Sequence, residues 1–202
     1  MTTFHLIRHG DTGVRNILSG RMSGIHLDET GRTQVAELAQ RFRGIRIDAI
    51  YSSPMERTIE TAKAISAISG LTIQVTDEII EVDFGEWTGK TFDEIDNDPR
   101  RRSFNMLRGA AHAPGGESFM QVQSRCVGWI ERIRESAGDK TVVAVSHGDP
   151  IKSAVMHYIG LHIDMYDRFE IGNASVTTIV VGSGKAKIVT LNNSGAVVAG
   201  SG

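Results

Sequence analysis

Residues 141–145 of this 202-residue chain, Thr141, Val142, Val143, Ala144 and Val145, form a near-continuous apolar run with no polar alternation. A strand that shows neither face to water belongs inside a parallel sheet covered by helices on both sides, so this segment narrows the fold class sharply. The flanking sequence agrees. Short strands are expected at Phe4, Leu6 and Ile7, at residues 47–51 and at residues 71–75. Between them, residues 30–42 carry Val35, Leu38, Ala39 and Phe42 at helical spacing, and Gly44 ends the helix. Ser53, Pro54, Met55 and Glu56 read as a capping box with proline at the first helical position, opening a helix that runs to about Gly70. Residues 117–135 set Phe119, Val122, Cys126, Ile130 and Ile133 along one helical face, and Asp149 with Pro150 starts a helix ending near Gly160. Residues 176–181 and 187–191 flank Gly182, Ser183 and Gly184 as a hairpin. Strands alternating with helices imply an α/β fold, a three-layer αβα sandwich with a mostly parallel central sheet. The length suits one domain over residues 1–193, with a frayed small-residue tail over 194–202.

In such sheets ligands bind beyond the carboxyl ends of the strands. Two strand ends carry the same pattern: Arg8, His9 and Gly10 after the first, and Ser146, His147 and Gly148 after the buried one. A glycine behind each histidine lets the backbone turn sharply and leaves room beside the ring. A lone strand-end histidine is more often structural than catalytic, and Arg57 changes that balance. It falls in the first turn of the helix after Ser53, where the helix dipole disfavours a cation unless an anion lies close. Backbone N–H groups at that helix start and a fork-shaped guanidinium both suit phosphate oxygens; the plain alternative is a pair between Arg57 and Glu56 or Glu60.

Together, Arg8, His9, Arg57 and His147 make two permanent cations and two titratable rings that would repel one another. At an effective dielectric of about 20, unit charges ~4 Å apart interact by about 4 kcal/mol, and a phosphate dianion turns that repulsion into attraction. The arginines also lower the pKa of His9, leaving a neutral ring whose lone pair can attack phosphorus. Arg8, Arg57 and His147 would then stabilise charge on the equatorial oxygens during in-line transfer. A leaving alcohol needs a proton from a carboxyl group opposite the nucleophile. Residues 81–87 offer Glu81, Asp83 and Glu86; at strand-like spacing Glu81 and Asp83 face the same way, and spacing does not choose between them.

Five motifs in order carry a resemblance. They are Leu6, Ile7, Arg8, His9 and Gly10; Ser52, Ser53, Pro54, Met55, Glu56, Arg57 and Thr58 with Thr61 and Ala62; Glu81 with Phe84, Gly85, Glu86, Trp87, Thr88 and Gly89; Gly115, Gly116, Glu117 and Ser118; and Ser146, His147 and Gly148. Over residues 4–191 the chain resembles the histidine phosphatase superfamily, the phosphoglycerate mutase-like fold. The resemblance implies a phosphohistidine intermediate on His9, with Arg8, Arg57 and His147 completing the phosphate pocket. It implies Glu81, rather than Asp83, as proton donor and later as base for water, and substrate contacts from Asn16, Ser23, Gly24 and Gly148. The sequence departs from the family pattern at Asp11 (usually Glu or Gln), at Arg15 before Asn16 (usually Trp), at Ser23 and at Glu60 (both usually Gln). The spacing from His9 to Asn16 is one residue longer than usual.

Competing motifs fail on spacing. Gly85 and Gly89, followed by Lys90 and Thr91, enclose three residues where a P-loop needs four, and include Trp87. Gly182 and Gly184 lack a third glycine at dinucleotide-binding spacing. Ser146, His147 and Asp149 are too close in sequence for a triad, and no G-x-S-x-G elbow exists. No metal-ligand spacing supports a site from His147, Asp149 and His157, so the expected reaction needs no metal and no cofactor. His5, His26, His112, His157 and His162 read as structural or solvated. Arg100, Arg101 and Arg102 with Arg108 read as a solvated helix face, the sharper alternative being a lid that attracts a phosphorylated substrate.

With 22 Lys+Arg against 24 Asp+Glu, the chain lacks the excess of one sign that a nucleic-acid coat or a polybasic membrane binder needs. The opening segment reads as a strand, not a signal peptide, and no apolar run approaches the ~18 residues of a membrane span. The single Cys126, expected in the core, excludes an internal disulfide framework, so a cytoplasmic location is expected. The expected function is a phosphatase acting on a small phosphorylated metabolite. A cofactor-dependent phosphoglycerate mutase shares the chemistry but usually carries a longer insertion than residues 91–113 provide. A non-catalytic phosphate-binding module is disfavoured because every expected catalytic position is filled. Oligomeric state is not readable from the sequence.

Overall fold

The computed structural model describes residues 1–197, and it places the apolar run at the centre of a six-stranded sheet. The strands are β1 (Thr2–Arg8), β2 (Ala49–Ser52), β3 (Ile73–Val75), β4 (Thr141–Ser146), β5 (Val176–Gly182) and β6 (Lys185–Asn193), in the order β3-β2-β4-β1-β5-β6. The β1–β4, β4–β2 and β2–β3 pairs are parallel, while β5 runs antiparallel to both β1 and β6. The helices are α1 (Glu29–Arg41), α2 (Glu56–Ser69), α3 (Phe92–Asp96), α4 (Pro99–Met106), α5 (Phe119–Ala137) and α6 (Gly148–Tyr158).

The absence of polar alternation in β4 follows from burial on both faces. Val142 and Ala144 join a cluster with Phe119, Val122, Cys126 and Ile130 of α5 and Ile151 and Val155 of α6. Val143 and Val145 join the opposite cluster with Leu38 of α1, Phe42, and Ala62 and Ile65 of α2. Full burial of each such aliphatic side chain is worth about 1.5–3 kcal/mol, so a polar residue at any of the four valine or alanine positions would expose a charge or hydroxyl to a dry core. β1 is covered in the same way. Phe4 and Leu6 enter the α5–α6 side, while His5 lies fully buried opposite, its ring edge-on to Phe42 at 5.5 Å and Nδ1 3.0 Å from Thr178 Oγ1. His5 is thus a core histidine, and burial lowers its pKa to about 4.

One expected helix start is corrected. α2 begins at Glu56, with Met55 at its N-cap and no side-chain cap, so Ser53 and Pro54 precede the helix. The Ser53 hydroxyl is engaged elsewhere, as described below. True capping boxes occur at α5, between Ser118 and Gln121, and at α3, between Thr91 and Glu94. α3 and α4 lie within residues 91–113; α4 carries the helix face expected at Arg100, Arg101 and Arg102, and it buries only Phe104. At the chain end, Val197 packs against the α1–α2 side of the core, so residues 194–197 are not wholly frayed; residues 198–202 of the expected tail lie outside the described residues. No helix among the described residues is long and apolar enough to cross a membrane.

The chain leaving β1 is held against α1 by backbone contact. A Cβ at Gly31 would stand 1.9 Å from the Asp11 carbonyl oxygen, and one at Gly10 would meet the Gly31 carbonyl at 2.8 Å. Gly31→Ala forces this crossing apart. It should lower stability by about 1–3 kcal/mol, read as a shift in urea midpoint, because neither partner is a side chain that can rotate away. An unchanged midpoint would show that the loop after His9 is not clamped by α1.

Candidate active site

Strand register builds the site. Arg8 stands opposite Ser146, and Ser52 opposite Val145. The parallel ladder continues past the strand ends, with His9 N–H donating to the Ser146 carbonyl at 3.1 Å and Ser53 N–H to the Val145 carbonyl at 3.0 Å. His9, His147 and Ser53 therefore leave neighbouring strands at one level. The two rings meet edge to face, centroids 5.2 Å apart, and Ser53 Oγ lies 2.8 Å from His147 Nε2. That contact explains why Ser53 does not cap α2.

His9 is buried, with Nδ1 2.8 Å from its neighbour's carbonyl, that of Gly10. A carbonyl only accepts, so Nδ1 carries the proton and Nε2 keeps its lone pair. Burial, reinforced by the Arg57 guanidinium, lowers the His9 pKa to about 3. The backbone around the ring is pinned. Asn173 Nδ2 donates to the His9 carbonyl at 3.1 Å, and Thr61 Oγ1 accepts from Gly10 N–H at 3.1 Å while donating to the Arg57 carbonyl at 2.8 Å. His147 is fully buried, its pKa driven well below the ordinary value by burial and then by His9.

Both arginines have donors left over. Arg57, only 2% exposed, donates from Nη2 to the Gly20 carbonyl at 2.8 Å, while Nη1 has no partner. It does not form the surface pair weighed from sequence: Glu56 accepts from Gly24 N–H, and Glu60 accepts from Leu27 N–H and faces His26. Arg8 donates from Nη1 to the Ile171 carbonyl at 2.5 Å and leaves Nε unpartnered; Nδ1 of His147 is unpartnered as well. A buried donor without a partner costs about 1–3 kcal/mol, and a tetrahedral oxyanion is the group that would satisfy several at once.

Glu81 shares a cavity of about 360 Å³ with Arg8, His9, Arg57 and Gly148. Its Oε2 is 3.8 Å from His147 Nδ1, and its Oε1 accepts from Val82 N–H at 2.9 Å. Burial, and then the neighbouring Asp149 carboxylate, raise its pKa to about 8. The Glu81 carbonyl is clamped by Arg21 Nε at 2.9 Å and Arg125 Nη2 at 3.1 Å, and both guanidinium groups also bind Glu117. Asp83 goes elsewhere: it accepts from Gly85 N–H at 2.9 Å and lies outside the cavity wall. The segment is not a strand, so the expected common face of Glu81 and Asp83 does not exist.

The structure thus brings together Arg8, His9, Arg57, Glu81, His147 and Gly148. Asn16, Ser23 and Gly24 are exposed and do not line the cavity; Asn16 instead accepts Phe92 N–H through its carbonyl at 3.2 Å. Residues not anticipated from sequence complete the wall, among them Asp149, Lys152, Tyr166 and Asn173. Asp149 and Lys152 follow His147 on α6, a position that could have signalled them, whereas Tyr166 arrives on a separate 3-10 turn, Ile163–Arg168. Arg100 pairs with Asp98 and Glu86, and Arg101 with Asp96, so α4 presents an ion-paired face outside the cavity. Arg108 is not part of the expected solvated face: it follows α4 and lies mostly buried, its guanidinium 4.4 Å from the Tyr166 ring and 5.1 Å from the Phe119 ring. Cys126 is a buried core thiol, pushed up to about 12 by burial.

The sequence profile of the histidine phosphatase superfamily (branch 1) matches residues 4–194. Phosphoserine phosphatase 1 of Hydrogenobacter thermophilus is 31% identical over 95% of this chain and 92% of its own length. A 2,3-bisphosphoglycerate-dependent phosphoglycerate mutase of Thermoplasma acidophilum is 31% identical over 92% of this chain and 90% of its own. The crystal structure of an Entamoeba histolytica phosphoserine phosphatase, in complex with 3-phosphoglyceric acid, superposes with a TM-score of 0.84 at 30% identity, covering 96% of this chain and 98% of that one.

The ring states are directly measurable. Nitrogen NMR at about pH 5.5 should find His5, His9 and His147 neutral, with His9 protonated on Nδ1. In the window below 6.5 the unfolded chain binds protons that these three folded rings refuse, so the rings withdraw stability as pH falls. A His9 titration midpoint near 6.5 would contradict the burial argument.

Proposed function

The chain belongs to the histidine phosphatase superfamily, and we propose that it hydrolyses a small phosphomonoester through a phosphohistidine formed on His9. One pairing carries the reading. A ring kept neutral by burial presents a free Nε2, while a carboxyl group kept protonated by burial, Glu81, lines the same cavity. Nucleophile and acid are both in their working protonation states near neutral pH.

In the first step His9 Nε2 attacks phosphorus, the P–O bond to the alcohol breaks, and Glu81 gives its proton to the departing oxygen. Arg8, Arg57 and His147 bind the equatorial oxygens, where negative charge persists throughout. In the second step Glu81, now a carboxylate, takes a proton from water as the water oxygen attacks phosphorus. The P–N bond breaks, returning neutral His9 and releasing inorganic phosphate. The positive charge comes from side chains, so the reaction is expected to need neither metal nor cofactor. The relatives named phosphatases support hydrolysis, and one named a mutase makes phosphoryl return to an alcohol the second reading. Residues 1–193 are read as one catalytic domain in a reducing cytoplasm, its partner a small phosphorylated metabolite.

Incubation with p-nitrophenyl phosphate, or with 3-phosphoglycerate plus a bisphosphoglycerate primer, in excess EDTA should release free phosphate. Formation of 2-phosphoglycerate would favour the mutase, and loss of activity in EDTA would refute the metal-free mechanism. His9→Ala should abolish an acid-labile phosphoenzyme. Glu81→Ala should cut turnover of alkyl phosphates by about 10²–10⁴ while phosphoenzyme accumulates from p-nitrophenyl phosphate, whose leaving group needs no proton. A phosphoenzyme that survives in the His9 variant would place the nucleophile elsewhere. Raising pH through about 8 removes the Glu81 proton, so glycerol 3-phosphate turnover should fall there while phosphoenzyme formation from p-nitrophenyl phosphate does not.

A further inference from the structure

Lys152 stands one helical turn beyond Gly148 on α6, and a Cβ at Gly148 would lie 3.6 Å from the Arg8 guanidinium. Positions four apart share a helix face, so the Lys152 stem runs along the wall next to the phosphate-binding arginine. Its side chain is 4% exposed, with the ammonium 4.1 Å above the Tyr166 ring. Among the described residues its one ion-pair partner is Glu170, at 3.2 Å, and the Glu170 side chain is 79% exposed. A buried ammonium demands an anionic partner, yet here that partner is a surface side chain free to turn into water, the kind of pairing that stabilises little.

The other cation of the outer wall differs. Arg15 is gripped through two nitrogens by Asp11, at 2.7 and 2.5 Å, and is already satisfied. Asp149, the nearest carboxylate on the same helix turn, accepts from the Tyr166 hydroxyl. Lys152 is therefore the wall cation with an exchangeable partner, and it lines the same 360 Å³ cavity as His9.

We propose that Lys152 forms a subsite for a carboxylate on the substrate, with the substrate group displacing Glu170, so that preferred substrates are compact phosphomonoesters of carboxylic acids. The assignment rests on the phosphatase reading above. A carboxylate replaces a carboxylate, which keeps the ammonium's charge balance.

The test uses 3-phosphoglycerate and glycerol 3-phosphate, which differ only in bearing a carboxylate or a hydroxymethyl group, with p-nitrophenyl phosphate as the general readout. The wild-type chain should prefer 3-phosphoglycerate in kcat/KM. Lys152→Met should lower that preference about 10- to 100-fold, the scale of a lost charge-assisted contact, chiefly through KM. Lys152→Arg should retain part of the preference, and Glu170→Gln should raise it by removing the competing carboxylate. A chain that hydrolyses p-nitrophenyl phosphate but shows no preference, or keeps it in Lys152→Met, overturns the subsite and leaves the phosphatase reading standing. A chain that hydrolyses none of the three overturns both.

Discussion

The hydrogen bond from the His9 amide to the Ser146 carbonyl extends the parallel β1–β4 ladder one residue past the strands, and the site is organised around it. Parallel strands in register end at one level, so identical residue patterns after each become neighbours in space. A register shift of one residue would turn alternate side chains to the other face and separate the two rings. The apolar run that fixes β4 inside the sheet is thus also what fixes His147 beside His9. Core packing and site geometry are consequences of one constraint.

Burial then sets the chemistry. Desolvation moves bases and acids in opposite directions, because in each case it disfavours the charged form. The histidines are held neutral and Glu81 is held protonated, the states that nucleophilic attack and proton donation require. The arginines supply the positive field that an incoming phosphate neutralises. The same low-polarity surroundings that shift these groups would strengthen their interaction with a dianion.

What the sequence discloses follows from the range of the interactions. The strand-end histidines and the arginine at the start of α2 are local signals and could be found from period and position. The fate of Ser53 could not: the letters of a capping box are the same whether the hydroxyl caps a helix or bonds His147, a residue distant in sequence. Glu81 and Asp83 were inseparable under a strand-like spacing, and they diverge because the chain there is irregular and Asp83 binds the Gly85 amide. Tyr166 and Asn173 reach the cavity from segments with no motif of their own, so only the tertiary fold reveals them. Asn16, Ser23 and Gly24 came from resemblance, in a loop where this chain departs from the family pattern at Arg15 and Ser23, and all three are exposed here.

The fold selects one nitrogen of one ring. Because Nδ1 of His9 is committed to the Gly10 carbonyl, the proposed phosphoryl transfer would use Nε2. Phosphorus–nitrogen coupling in the trapped phosphoenzyme distinguishes the two ring positions. Phosphorylation of His9 at Nε2 is the expected result, and a phosphoryl group on Nδ1, or on any other residue, would refute the role given to the Gly10 contact.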